Sequence, residues 1–145
     1  MAQVARRFPV PVLWPLLLAL GLLVACMQAP FDQAALQRAE SLRAQSVALI
    51  ERAGEPYDSR AADVEKLLAE VRAERDAAAQ VEGNGSVVQQ WDAILAADGP
   101  YLGGILARWQ SAGTLGAGFR AEAAGRVGAA FDALTDTERA KKQKR

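Results

Sequence analysis

The sequence predicts an all-α fold, a small helical bundle in which a long antiparallel helix hairpin carries about three shorter helices. Three observations lead there. From Asp32 onward apolar residues recur three and four positions apart, the period of one helix face. Hydrophobic residues make up 51% of the chain, and alanine dominates them while β-branched residues are few, which favours helix over strand. No stretch alternates apolar and polar residues long enough to argue for a strand.

The first helix starts at Asp32, a good N-cap, with Phe31 and Leu36 placed as a hydrophobic staple. Its inward stripe is Ala35, Ala39, Leu42, Ser46, Leu49 and Ala53, flanked by Leu36 and Ile50, and Gly54 with Pro56 ends it. Asp58 or Ser59 is the expected cap of a second helix with the stripe Val64, Leu67, Leu68, Val71, Ala78 and Val81. Lys66, Glu70, Arg72, Glu74 and Asp76 form its opposite, solvated face. Similar lengths and a short Gly-Pro turn predict that these two helices pair antiparallel.

Gly83-Asn84-Gly85 breaks the second helix, and Ser86 with Gln89 reads as a capping box for a third carrying Val87, Val88, Trp91, Ile94 and Leu95. Asp98-Gly99-Pro100 stops that helix and opens a fourth, with Pro100 at the first position and an apolar face of Leu102, Ile105, Leu106 and Trp109. After Gly113-Thr114, a fifth helix has the stripe Leu115, Phe119, Ala123, Val127, Ala130 and Leu134, with Phe131 beside it. Beyond Thr137 the chain offers nothing apolar to bury, so residues 139–145 are expected to fray as a basic tail.

The N-terminus follows a different logic. Two arginines and no acid precede Phe8, no charge occurs from Phe8 to Ala25, and the run closes on Leu23-Val24-Ala25-Cys26. A basic segment, an apolar run and a small residue before the cleavage point describe a secretory signal, which takes no part in the fold. With cysteine directly after that point, the pattern resembles the lipobox of bacterial lipoproteins. The resemblance covers residues 1–27 only. It implies that Cys26 is alkylated by diacylglycerol, becomes the first residue of the mature protein and receives a further acyl chain. Met27 and Gln28, rather than an aspartate, follow the cysteine, which by the same resemblance implies the periplasmic face of the outer membrane. The alternative is an uncleaved anchor, since Phe8 to Met27 reaches the roughly 20 residues a span requires. Pro9, Pro11 and Pro15 weaken it, because interior prolines break helices. The chain thus divides into a signal (1–25), a lipidated tether (26–31), a helical domain (32–138) and the basic tail (139–145).

Composition excludes several functions. All 17 acidic residues lie between Asp32 and Glu138, so the domain lacks the basic face of a nucleic-acid binder. With no histidine and one cysteine, an internal disulfide, the common zinc and transition-metal sites, and Ser-His-Asp or Cys-His catalysis have no residues to use. Phosphate-binding glycine loops and calcium loops are also missing, so no cofactor or metal is expected. Two carboxylates alone can run glycosidic chemistry, and Glu122 and Asp98 are the candidates. Arg126 stands four residues after Glu122, however, in the favourable order of an ordinary helical ion pair. A non-catalytic protein is expected.

Eight of the twelve glycines fall between Gly99 and Gly128, and Gly103, Gly104, Gly125 and Gly128 lie within predicted helices. Each costs about 1 kcal/mol relative to alanine. Either backbones approach closely there, or the glycines floor a groove for a ligand or partner. Trp91, Tyr101, Trp109 and Phe119 surround them, and together with Gly103 and Gly104 they form the candidate groove. The basic tail has two readings as well, a solvated terminus complementing the helix dipole or a contact with anionic headgroups. The expected function is an envelope adaptor or assembly factor that binds an envelope protein through the aromatic and glycine region. The alternative is a periplasmic carrier or sensor binding a small apolar ligand between the third and fifth helices.

Overall fold

The computed structural model describes residues 29–143; the signal segment, Cys26 and the last two residues lie outside the described part. Five α-helices and no strand occur among the described residues: α1 (Gln33–Glu51), α2 (Ala61–Ala79), α3 (Gly85–Leu95), α4 (Leu102–Ala112) and α5 (Ala117–Gln143). A 3₁₀ turn, Tyr57–Ser59, precedes α2. The fold is an all-α bundle.

Asp32 caps α1 as its side chain demands, accepting from the backbone N–H groups of Ala34 and Ala35 at 2.8 and 3.1 Å. The α1 stripe is buried from Leu36 through Ala39, Leu42, Ser46, Leu49 and Ile50 to Ala53. Small residues on it let a neighbour come close, and that neighbour is α5. Residues meet in reverse order along the pair: Arg139 with Glu40, Arg43 with Asp132, Gly128 beside Val47, and Arg120 over Gly54. On its other side α1 meets α2, where Arg38 near the start of one helix bonds Glu74 near the end of the other at 2.6 Å.

The last helix departs most from expectation. It is not one of three short ones but the longest, at 27 residues, and the predicted fraying tail is its final turns. Its buried face runs through Ala123, Ala124, Val127, Gly128, Phe131, Leu134 and Thr135 and continues without a break to Glu138 and Lys141. Helix starts shifted as well. Asp58 and Ser59 sit in the 3₁₀ turn, where the Ser59 hydroxyl donates to the Pro56 carbonyl, and α2 starts after Arg60 without a side-chain cap. Ser86 is not the N-cap of α3; Asn84 is, and its side chain bonds elsewhere. Pro100 precedes α4, whose N-cap is the extended residue Tyr101.

The bundle has two unlike ends. At the far end the α1–α2 and α4–α5 connections hold each other: Tyr57 N–H donates to the Gly113 carbonyl and Leu115 N–H to that of Ala53. Gly113 turns with φ of 78°, a conformation that favours glycine. At the entry end the chain comes in through buried Ala29, and the Phe31 ring lies 5.8 Å from the Lys142 ammonium. The first and last described turns of the protein therefore share one pole.

Candidate functional site

The entry pole holds a group of polar side chains where an ordinary bundle would place leucines. Asn84 ends the α2–α3 connection and is buried. Its amide nitrogen donates to the Ala78 carbonyl at 3.2 Å, and its amide oxygen accepts from the Lys141 ammonium. That ammonium also bonds Glu138 Oε1 at 2.6 Å, one helical turn back on α5. The Glu138 and Lys141 side chains are only 5% and 3% exposed, so the ion pair stands in the protein and not in water. A buried charge is tolerated when it is paired and its hydrogen bonds are filled. Lys141 meets most of it, with two of its three N–H donors bonded. Glu138 meets half of it, because Oε2 is buried with no hydrogen-bond partner.

Oε2 itself is closed in by its neighbours, but the ion pair borders an open space. Glu138 and Lys141 line a cavity of about 130 Å³ bounded by the start of α1, the end of α2, the first half of α3 and the last turns of α5. Trp91, Val87, Leu134 and Ala35 give it apolar walls, and the Arg38–Glu74 pair spans another side. The Glu74 carboxylate beside it raises the Arg38 pKa above its ordinary value. Val81 stands at the rim at 39% exposure, the one large hydrophobic side chain left exposed among the described residues. The charged groups around the cavity are Asp32, Glu74 and Glu138 against Arg38 and Lys141, an excess of one acid. Chemically this is a small, largely apolar chamber with a buried ion pair along one side.

The groove expected along Trp91, Tyr101, Gly103, Gly104, Trp109 and Phe119 is not an open surface. Trp109 is fully buried, its indole N–H bonds the Glu55 carbonyl at 3.0 Å, and its ring meets Tyr57 edge-on at 5.5 Å. Trp91 is 3% exposed and meets Phe131 edge-on. A side chain on Gly103 would run into the carbonyls of Leu95 and Ala96, and one on Gly104 into that of Gly99. These two glycines let the start of α4 lie against the end of α3 and the loop between them. Tyr101 and Phe119 are half-buried, with the Arg108 guanidinium 4.2 Å above the Phe119 ring. Of the six, only Trp91 lines the entry-pole cavity. Glu122 is exposed 3.9 Å from Arg126, and Asp98 is exposed in its loop. Cys26 lies outside the described residues.

Sequence reasoning passed over Asn84, Glu138 and Lys141. The signal that could have found them is spacing. Phe131, Leu134, Glu138 and Lys141 continue the three-and-four rhythm of the α5 stripe, so the last two stand on its buried face despite their charges. No protein family, no curated protein and no solved structure matches the chain.

Proposed function

We propose that this chain is a non-catalytic, lipid-anchored lipoprotein of the bacterial cell envelope, held through Cys26 at the periplasmic face of the outer membrane. In this reading the domain acts there as a carrier or sensor of a small ligand. The observation that carries the ligand half is the entry-pole cavity, walled by Trp91, Val87 and Leu134 and bordered by the buried Glu138–Lys141 pair. The lipobox supports the anchor half. Ala29, three residues after Cys26, is already buried in the bundle, so a lipid on the cysteine would hold the cavity end against the membrane.

The adaptor reading draws less support, because Trp91 and Trp109, the anchors it would offer an envelope protein, are spent inside the bundle. Native mass spectrometry of the protein gently extracted from its own membranes tests both halves. The expected result is a mature chain starting at Cys26 with a diacylglycerol and acyl mass, accompanied by a small molecule. A retained 1–25 segment would overturn the lipid anchor. A second polypeptide in place of the small mass would overturn the carrier reading in favour of the adaptor.

A further inference from the structure

Resting on the ligand-binding reading above, we propose that the entry-pole cavity takes a small neutral molecule with a carbonyl group on an apolar body. The carbonyl oxygen accepts from the indole N–H of Trp91, and the body lies along Val87 and Leu134.

The two tryptophans of the bundle differ in what their single donor meets. Trp91 is 3% exposed and Trp109 not at all. The Trp109 N–H donates to the Glu55 carbonyl at 3.0 Å, whereas the Trp91 N–H has no acceptor among the described residues. A buried indole usually finds a partner for its N–H, which can donate but not accept. Protein closes around the partnerless atoms Ser46 Oγ, Gln90 Oε1, Arg126 Nε and Glu138 Oε2. The Trp91 nitrogen is not one of these, so it keeps contact with open space, and the open space that Trp91 borders is the cavity. A donor on the wall calls for an acceptor in the ligand.

The remaining walls set the rest of the molecule. Val87, Leu134, Ala35 and Val81 present hydrocarbon. The charges around the chamber are already engaged: Arg38 pairs with Glu74, Lys141 with Glu138, and Asp32 caps α1. A ligand bringing a further charge would leave water without a free counterion, so a neutral acceptor fits better than a carboxylate. A hydroxyl also accepts, but it brings a donor that needs a partner of its own, and a carbonyl does not. An engineered cavity of about 150 Å³ holds one benzene, so the 130 Å³ here suits a molecule of similar size.

The test follows the indole protons of the isotope-labelled full chain by proton–nitrogen correlation NMR in dodecyl maltoside, a detergent without a carbonyl. Cyclopentanone, methylenecyclopentane and cyclopentylammonium are titrated at neutral pH, with affinities read from the amide shifts of Val87 and Leu134. The first two share one shape and differ in a carbonyl oxygen against a methylene carbon. Cyclopentanone is expected to move the Trp91 indole proton downfield and leave that of Trp109 in place. Methylenecyclopentane should bind about fivefold more weakly, the factor of one neutral hydrogen bond, and cyclopentylammonium more weakly still. Trp91→Phe assigns the resonance and should bring cyclopentanone down to the affinity of methylenecyclopentane. Because that variant also loosens the contact with Phe131, Ala35→Leu is the second. It narrows the chamber from α1, keeps the indole, and should abolish the cyclopentanone shift while the helical circular dichroism stays unchanged. The same downfield shift in phosphatidylcholine nanodiscs without a probe would identify the carbonyl as a lipid ester; an unmoved proton there would identify it as a free compound. Equal affinity for cyclopentanone and methylenecyclopentane, or a preference for cyclopentylammonium, would overturn the carbonyl assignment and leave the ligand-binding reading standing. If no probe binds, the chamber holds solvent alone and both fall together.

Discussion

The two ends of this bundle solve the same packing problem with opposite materials. At the far end an indole fills the space between helices, its single polar atom bonds a carbonyl, and the two connections bond each other through their backbones. At the entry end an amide, a carboxylate and an ammonium occupy the interior positions and leave about 130 Å³ beside them. The far end is complete without a visitor. The entry end keeps an unfilled space, which is where a binding function has physical room. Aromatic residues are therefore a poor guide to the site here, because the structure uses them to finish itself.

The largest expected effect falls on the far end. Trp109→Ala removes a fully buried indole and should destabilise the fold by about 3–5 kcal/mol. Urea denaturation read by far-UV circular dichroism measures the loss, and no neighbouring substitution should recover it fully. Lys141→Met strands the buried Glu138 charge and should cost about 3 kcal/mol or more, but adding Glu138→Leu should return most of it, since an apolar pair often replaces a buried ion pair without loss. If the double variant stays as unstable as Lys141→Met alone, the contrast between the two ends is wrong. Glycines give a smaller and two-signed comparison. Gly103→Ala should destabilise by about 1–3 kcal/mol, because the carbonyls it meets belong to rigid backbone. Gly125→Ala should stabilise by about 0.5–1 kcal/mol, because a Cβ there meets open space on an exposed helix face.

The smallest effect is electrostatic and lies on the surface. The Arg75 guanidinium, bonding it at 2.8 Å, holds the Asp92 carboxyl below its ordinary value of 3.8. A carboxyl with a depressed folded pKa adds stability that is present above the unfolded value and fades as pH falls through the folded one. Melting temperatures measured while pH is lowered from about 5 should therefore drop less steeply in Asp92→Asn than in the parent. Identical slopes would show that solvent screening cancels the bridge.

Much of the fold was legible because local chemistry agreed with position. Asp32 with its cap, the α1 stripe and the Gly54-Pro56 stop stand where residue type and period coincide. The expectation failed where a distant partner changed what a residue does. Asp58 and Ser59 do not cap α2, since the Gly113 carbonyl takes the Tyr57 N–H and the chain makes a further turn before the helix. Asn84 gives its side chain to Ala78 and Lys141 instead of capping α3. Glu138 and Lys141 read as solvent-facing by type, because charged residues are almost never fully buried unless paired. Asn84, the second partner of the Lys141 ammonium, is 57 positions away from it, beyond any local pattern. The candidate site was hidden for that reason, while the aromatic and glycine cluster drew attention to a region that is only well packed.

The nearness of Phe31 and Lys142 has a mechanical consequence. With both ends of the domain at one pole and α1 antiparallel to α5, a load applied between them acts across the helix pair rather than along it. It would open the Arg139–Glu40 bridge first, then Arg43–Asp132, then the contact of Gly128 with Val47, one at a time. The domain yields like a zipper when pulled by its ends, and a tether and a cargo attached at that shared pole would feel its weakest direction.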